Sequence, residues 1–192
     1  MTETYPQDTA ERRDRLERIV RDLLAEAKRQ GASAAEAAAS SEAGLEISVR
    51  LGEVETVEYT RDNGLGITVY FGQRKGSSST SDLSSEAVRD AVRAACAIAS
   101  RTQEDPCAGL ADADLMAQDL PELDLHHPWD LEPDAAIRLA IECEDAARTL
   151  DPRIVNSEGA SISTQRGLHV YGNSHGFVAG YPSTRHGLSC SV

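Results

Sequence analysis

The sequence has few aromatic residues, few basic residues and no long apolar run. Phe, Trp and Tyr make up 4% of its 192 residues, which argues against an aromatic platform for stacking nucleic-acid bases. The formal net charge is −13, and the field of such a charge repels phosphate backbones. No stretch approaches the 18 consecutive apolar residues that indicate a membrane-spanning helix. The sequence therefore predicts a protein that binds neither nucleic acid nor membrane.

Cysteine usage and the N-terminal residues indicate the compartment. The four cysteines occur without a CxxC motif and are Cys96, Cys107, Cys143 and Cys190. The N-terminus lacks the apolar stretch of a signal peptide. A chain of this kind is typical of a reducing environment, so we expect a cytoplasmic protein.

An acidic segment occupies the middle of the chain. Ten acidic residues and no lysine or arginine lie between Arg101 and Arg138. Three prolines interrupt the segment and no apolar period is sustained, so residues 102–132 are expected to form an extended connection with short helical turns at most. Two interpretations remain open: a solvated surface segment, or a docking surface for a basic partner.

Three segments have the apolar spacing of amphipathic helices, at 11–30, 84–100 and 133–150. Ser84 is a suitable N-cap for the second, and Pro133 suits the first position of the third. The residues expected on the inward face of the third helix are Ile137, Ala140, Ile141, Ala147 and Leu150.

Residues 44–81 have the period-2 alternation of a sheet. One strand carries Leu45 to Leu51, and a second passes through Val57 and Tyr59. Asp62-Asn63-Gly64 has the chemistry of a tight turn, which would place a third strand at Leu65 to Phe71. Lys75 to Ser81 is small and polar, as protected edge strands are.

Strands return over residues 153–192, and the first is expected to start at Ile154-Val155. The fold class predicted is α+β, with an antiparallel or mixed curved sheet packed against two to three helices. We expect one domain over residues 1–192.

The phrase Asn-Ser-x-Gly occurs twice, at residues 156–159 and 173–176. Ser174 and His175 invite a nucleophile interpretation, but neighbours on a strand point to opposite faces and GxSxG is absent. An independent serine hydrolase is therefore disfavoured, and both phrases are predicted to be turns. None of the five histidines has zinc-site spacing, so no catalytic or metal-binding residue is predicted in this chain.

Several motifs together carry a family resemblance. They are Arg61-Asp62, Gly64 to Gly66, Lys75-Gly76, the Ser/Thr stretch ending at Asp82-Leu83, Asn156 to Gly159, Gly172 to Phe177 and Ser183 to His186. The chain resembles the PmbA/TldE branch of the TldD/PmbA family, once described as modulators of DNA gyrase. The resemblance spans nearly the whole chain.

The resemblance implies an N-terminal segment of a protein more than twice this length, with a C-terminal domain outside the chain. It also implies a non-catalytic subunit that pairs with a TldD-like catalytic subunit, which binds zinc as a peptidase and cleaves unfolded peptides. No cofactor is expected in this chain. Four residues are candidates for contact with peptide or for family signature: Ser78, Asn173, Ser174 and His175. The alternative is a stand-alone binding or scaffold domain without a peptidase role.

Overall fold

The computed structural model describes residues 5–117 and 119–192. The helices are α1 (Tyr5–Arg29), α2 (Ser85–Ala99) and α3 (Pro133–Arg148), and the strands are β1 (Ala34–Arg50), β2 (Glu53–Phe71), β3 (Arg74–Thr80), β4 (Gly159–Asn173) and β5 (Val178–Ser191). The strands form one antiparallel sheet in the order β3-β2-β1-β4-β5. The predicted α+β fold is confirmed, and Lys75 to Ser81 falls on an edge strand as expected.

The chain forms two compact units. Each of the four long strands, β1, β2, β4 and β5, has one part in unit 1 and the other in unit 2. Unit 1 comprises the described part of Met1–Ser41 together with Asp62–Leu123 and Leu168–Pro182. Unit 2 comprises Glu42–Arg61, Asp124–Gly167 and Ser183–Val192. The expectation of one domain over residues 1–192 stays a prediction.

Unit 1 is built on a core of aliphatic and alanine side chains. α1 supplies Leu16, Val20 and Leu23, and α2 supplies small residues that let it lie close to β3. A Cβ on Gly76 of β3 would lie only 2.2 Å from the backbone oxygen of Ala95. The Ser84 side chain accepts a hydrogen bond from the Ala87 N–H, which confirms the predicted N-cap of α2.

Unit 2 has a smaller core, in which α3 packs on β1 and β4. Its buried hydrophobic members are Leu45, Ile47, Val49, Ala136, Ala140, Ala160 and Ile162. Glu144 of α3 is fully buried among them. Its two carboxylate oxygens accept hydrogen bonds from the Leu51 and Gly52 N–H groups, each at 2.8 Å.

The turn predicted at Asp62-Asn63-Gly64 is wrong, because β2 continues through these residues. The Ser48 and Thr56 hydroxyls lie 2.7 Å apart across β1 and β2, and Gly64 faces Ser40 in the same register. Gly64 has no positive φ. A Cβ at this position would lie only 2.8 Å from the Ser40 Oγ. Glycine is therefore needed there for a close approach rather than for a reversal.

The chain reverses instead at Leu51 and Gly52, between β1 and β2. Their φ angles are +52° and +81°, as the tight two-residue hairpins of type I′ require. β1 also begins at Ala34, ten residues before the sheet predicted from the sequence.

Two predictions about the second half of the chain are also wrong in detail. Leu150 was placed on the inward face of the third helix, but it follows the end of α3 and is 80% exposed. The strand expected at Ile154-Val155 starts at Gly159, and Val155 is 87% exposed. The core positions of α3 are Ala136, Ala140 and Glu144, spaced by one helical turn.

The acidic segment forms the irregular connection that was expected. In its described part, the only helical element is the 3-10 turn Ala113–Leu115. Across the described chain, no helix is both long and apolar enough to cross a membrane.

Candidate functional site

The second Asn-Ser-x-Gly phrase forms the turn between β4 and β5. The Asn173 N–H donates to the Phe177 oxygen at 2.9 Å, and Gly176 has a φ of +95°. Ser174 exchanges two hydrogen bonds with Ala35: its N–H donates to the Ala35 oxygen, and its Oγ accepts from the Ala35 N–H at 3.1 Å. The Ser174 hydroxyl is thus an acceptor that ties the turn to β1.

Asn173 and His175 support the same turn in different ways. The buried Asn173 side chain accepts from the His175 N–H at 3.1 Å and donates to the Met116 sulfur at 3.5 Å. His175 is exposed, and its Nε2 lies 3.2 Å from the Ala111 oxygen. The turn prediction for residues 173–176 is therefore confirmed, and none of these contacts sets up a serine nucleophile with a histidine base.

Ser78 lies on the edge strand β3. It is paired with Ile67 of β2, whose side chain lies in the unit 1 core. Paired residues on adjacent antiparallel strands point to the same face, so the Ser78 side chain lies on the helix-covered face. Its neighbours Ser77 and Ser79 point to the opposite face.

A large groove lies in unit 1, with a volume of about 1230 Å³. We call it the unit 1 groove. Its lining residues come from β1 (Ala38–Ser40), β2 (Asn63–Gly66), β3 and the residue after it (Ser79–Ser81), the acidic segment (Leu120–Leu123), β4 (His169–Tyr171) and β5 with its flanks (Phe177, Ala179–Pro182), together with Arg13. Most of the β1, β2 and β3 residues are alanine, glycine, serine or threonine. The residues from β4, β5 and its flank include four aromatic or histidine rings.

The rings occur as two pairs. His169 and Tyr181 have centroids 5.5 Å apart, and Tyr171 and Phe177 have centroids 6.1 Å apart. One side of the unit 1 groove therefore offers aromatic surface, and the other offers backbone and small side chains. Such a combination suits an extended chain, because the small residues allow close backbone approach and the rings cover apolar side chains.

A smaller cavity of about 420 Å³ shares Ala38, Gly66, Ser79 and Tyr171 with the unit 1 groove. We call it the Glu36 pocket, since Glu36 lines it together with the hydroxyl pair Thr68 and Ser77.

Two tyrosines hold the Glu36 carboxylate in this pocket. The Tyr70 hydroxyl donates to one oxygen at 2.8 Å, and the Tyr171 hydroxyl donates to the other at 3.0 Å. Burial, the hydrogen bond to Glu36 and the charge of Glu36 raise the pKa of Tyr70 to about 12. Burial also raises the pKa of Tyr171, with Glu36 acting in the same direction. Both hydroxyls are therefore protonated donors at neutral pH.

The described residues do not form a metal site. Nowhere among them do three or more His, Cys, Asp or Glu side chains gather as possible ligands. All four cysteines are free thiols. The buried carboxylate of Glu144 is occupied by two backbone N–H groups and is not open to a ligand.

Sequence reasoning missed the Glu36 pocket. Residues 34–43 are rich in alanine and serine and show no period-2 alternation of apolar and polar residues, so the strand that carries Glu36 was not predicted. The sequence signal that bears on this pocket is the alternation of apolar and polar residues around Tyr70 and around Tyr171. It indicates that both tyrosines lie on strands, but not that both bind Glu36.

Two family models match the chain. The model described as PmbA/TldA metallopeptidase domain 1 matches residues 35–99. The model described as PmbA/TldA metallopeptidase central domain matches residues 126–192. Together they cover more than half of the chain. Residues 42–61 match the first model although they lie in unit 2.

Curated relatives are similar over most of the chain. The Metalloprotease PmbA homolog of Haemophilus influenzae is 54% identical over 166 residues, which are 86% of this chain and 37% of the relative. Metalloprotease PmbA of Escherichia coli O157:H7 is 52% identical over 169 residues, which are 88% of this chain and 37% of the relative. The chain thus spans little more than a third of the length of these relatives.

Solved structures share the fold. A modulator of DNA gyrase from Bacteroides thetaiotaomicron has a TM-score of 0.80 at 23% identity, over 90% of this chain and 40% of that chain. TldE from Thermococcus kodakarensis has a TM-score of 0.71 at 18% identity, over 90% of this chain and 38% of that chain.

Proposed function

The chain belongs to the PmbA/TldE branch of the PmbA/TldD metallopeptidase family, and we propose that it serves in a cytoplasmic complex that cleaves unfolded peptides. In this proposal the chain is part of a non-catalytic subunit. The subunit pairs with a TldD-like subunit that holds zinc and performs the cleavage.

The unit 1 groove is the observation that carries the proposal. A peptidase for unfolded chains needs to hold many sequences in one extended conformation, and a groove with a floor of small residues allows contacts to the peptide main chain. Ala38, Gly66 and Ser79 present little side chain there. Tyr171 and Tyr181 supply surface for apolar side chains without selecting one sequence.

The residues that the structure describes do not fit a catalytic zinc site, which needs three protein ligands and an open position. Among the described residues no such group exists. In this proposal the zinc lies on the TldD-like partner, which rests on the similarity to the PmbA/TldE branch, and no step of cleavage is derived from residues of this chain. The part assigned to the chain is to bind and align the peptide.

The test is a reconstitution of peptide cleavage. The full-length protein is purified alone, a TldD-like partner is purified alone, and the two are combined and supplied with an unstructured peptide. We expect cleavage only by the combined, zinc-containing complex. Elemental analysis of the chain alone should find no stoichiometric zinc.

Three results would contradict the proposal. One tightly held zinc per chain, or cleavage by the chain alone, would make it catalytic. Full activity of the partner without this protein would favour the alternative of a stand-alone binding or scaffold domain.

A further inference from the structure

Glu36 carries a negative charge that nothing in the described part of the chain balances. Its contacts are the hydroxyls of Tyr70 and Tyr171, which are neutral donors. No described lysine, arginine or histidine forms an ion pair with it. The arginine of the unit 1 groove, Arg13, lies beside Glu17 instead. Each carboxylate oxygen accepts one hydrogen bond from a tyrosine and has capacity for a second.

The two tyrosines also fix the direction of this charge. A glutamate on a strand surface ordinarily samples several rotamers, and one hydroxyl bound to each oxygen restricts that freedom. Glu36 lies on β1, Tyr70 on β2 and Tyr171 on β4, so the carboxylate is held from both neighbouring strands. A fixed carboxylate binds a cation with a smaller loss of conformational entropy than a mobile one.

The neighbouring ring surface favours the same class of ligand. Tyr171 donates to Glu36 and forms the ring pair with Phe177 that lines the unit 1 groove. Aromatic faces attract ammonium and guanidinium groups, and the alkyl stem of a lysine or arginine packs well against a ring. Small residues between the two cavities, Gly66 and Ala38, leave room for such a stem.

We propose that the Glu36 pocket is a subsite for a basic side chain of the bound peptide, with Glu36 pairing the cationic head and Tyr171 covering the stem. This inference rests on the proposed function, because it assumes that an extended peptide occupies the unit 1 groove. It adds a preference for lysine or arginine at one position of an otherwise tolerant site.

The first test changes the peptide. Short unstructured peptides of glycine, serine and alanine are prepared with a single lysine, norleucine or glutamate at the same position. Their dissociation constants for the assembled complex are measured by fluorescence anisotropy. We expect the lysine peptide to bind about tenfold more tightly than the norleucine peptide, as one charge-assisted hydrogen-bonded pair provides. The glutamate peptide should bind most weakly.

The second test changes the protein. Glu36→Gln keeps an acceptor for one tyrosine but removes the charge, so the lysine-to-norleucine ratio should fall toward one. Glu46→Gln is the matched control, because Glu46 is an exposed residue of the same strand, outside both cavities. Its ratio should equal that of the wild type. Tyr171→Phe should lower the lysine-to-norleucine ratio in part, because the carboxylate loses one of the two hydrogen bonds that fix its direction.

The outcomes separate this inference from the proposed function. Equal binding of the lysine and norleucine peptides by the wild-type complex, or a preference that survives Glu36→Gln, overturns the basic subsite while peptide binding stands. Binding of none of the peptides overturns the proposed function and this inference with it. If Glu36→Gln fails to fold, Tyr171→Phe takes its place: a lysine-to-norleucine ratio equal to that of Glu46→Gln overturns the basic subsite, and a lower ratio supports it.

Discussion

Replacing Glu144 tests how unit 2 is held together. This residue is fully buried, and its carboxylate binds the two N–H groups of the hairpin at Leu51 and Gly52. Leu51 has a φ of +52°, a conformation that costs a non-glycine residue about 1 kcal/mol or more. The carboxylate offsets this strain by binding both N–H groups of a turn that type I′ geometry otherwise leaves to solvent.

The size of the effect follows from the hydrogen bonds lost. Hydrogen bonds to a charged group contribute about 1.5–3 kcal/mol each. Glu144→Gln keeps one acceptor but turns an amide N–H₂ toward the other backbone N–H, so we expect a loss of roughly 2–3 kcal/mol of unfolding free energy. Glu144→Ala removes both acceptors and should cost about 3–6 kcal/mol, since two hydrogen bonds to a charged group are lost.

Urea denaturation measures the loss of unfolding free energy in the Glu144 variants, and amide hydrogen exchange shows whether the loss is at the hairpin. Glu142→Gln on the exposed side of the same helix is the control and should stay within about 0.5 kcal/mol of the wild type. The Leu51 and Gly52 amides should lose protection from exchange in Glu144→Gln. Equal stability of the Glu144 and Glu142 variants would refute the assignment of Glu144 as the anchor of the hairpin.

The pH dependence gives a second check on Glu144. Burial by itself raises the pKa of this carboxyl, but hydrogen bonds from Ser157, Leu51 and Gly52 and the charge of Arg148 outweigh it, so the pKa is lowered from its ordinary value of 4.5. A carboxyl with a lowered folded-state pKa stabilises the fold above its unfolded-state pKa and loses that contribution as pH falls through the folded-state value. The difference between wild type and Glu144→Gln should therefore be constant near neutral pH and shrink below pH 4.5.

Three further predictions test other parts of the structure. Gly176→Val should lower the unfolding free energy by on the order of 1 kcal/mol, because Gly176 has a φ of +95°. His175→Ala should change the unfolding free energy little. Equal melting temperatures of the two variants would contradict this ranking. Gly76→Ala should lower the unfolding free energy by about 3 kcal/mol, because the new Cβ would overpack against the α2 backbone. Gly66→Ala is the control and should not have this effect, since nothing lies within 4 Å of its new Cβ. Thermal unfolding of the two variants measures the difference. Strand addition to the edge strand β3 is a further way in which the subunit could hold an extended peptide. If the peptide pairs there, Ser78→Pro should leave assembly with the partner intact but reduce peptide cleavage, because proline removes an N–H donor from that edge. Unchanged cleavage would exclude this edge as the place where the peptide pairs.

The elements that the sequence predicted well are those whose signals are local. The N-cap serine, the acidic first turn and the apolar stripe of α2 all lie within a few residues of one another. The turn at Asn173 to Gly176 was likewise predictable because its contacts are local: the Asn173 side chain accepts from the His175 N–H, and Gly176 supplies the positive φ. The edge position of β3 followed from its small polar side chains.

The errors arose where tertiary contacts override local preference. Asn63-Gly64 is a strong turn signal, yet β2 continues through Gly64, where the backbone passes close to Ser40. Residues 34–43 lack clear alternating polarity because alanine occurs on both faces of the strand. Ala35, Ala37 and Ala39 are buried, whereas Ala38 lies on the open face with Glu36 and Ser40. Glu144 occupies a core position because two backbone N–H groups satisfy its charge. None of these partners is near in sequence.

The two glutamates Glu36 and Glu144 show why an acidic composition does not reveal which acids matter. In both residues each carboxylate oxygen accepts a hydrogen bond. The donors to the buried Glu144 are two backbone N–H groups, with Ser157 as a further donor, whereas the donors to Glu36 are two tyrosine hydroxyls, and Tyr171 lines an open cavity. The first arrangement fills the carboxylate and stabilises a hairpin. The second orients a charge and leaves acceptor capacity in the Glu36 pocket. One of the two interpretations that the sequence leaves open is that the acidic segment docks a basic partner. In our proposal Glu36 is the better-prepared site for a cation, because preorganisation rather than the number of charges sets the cost of binding.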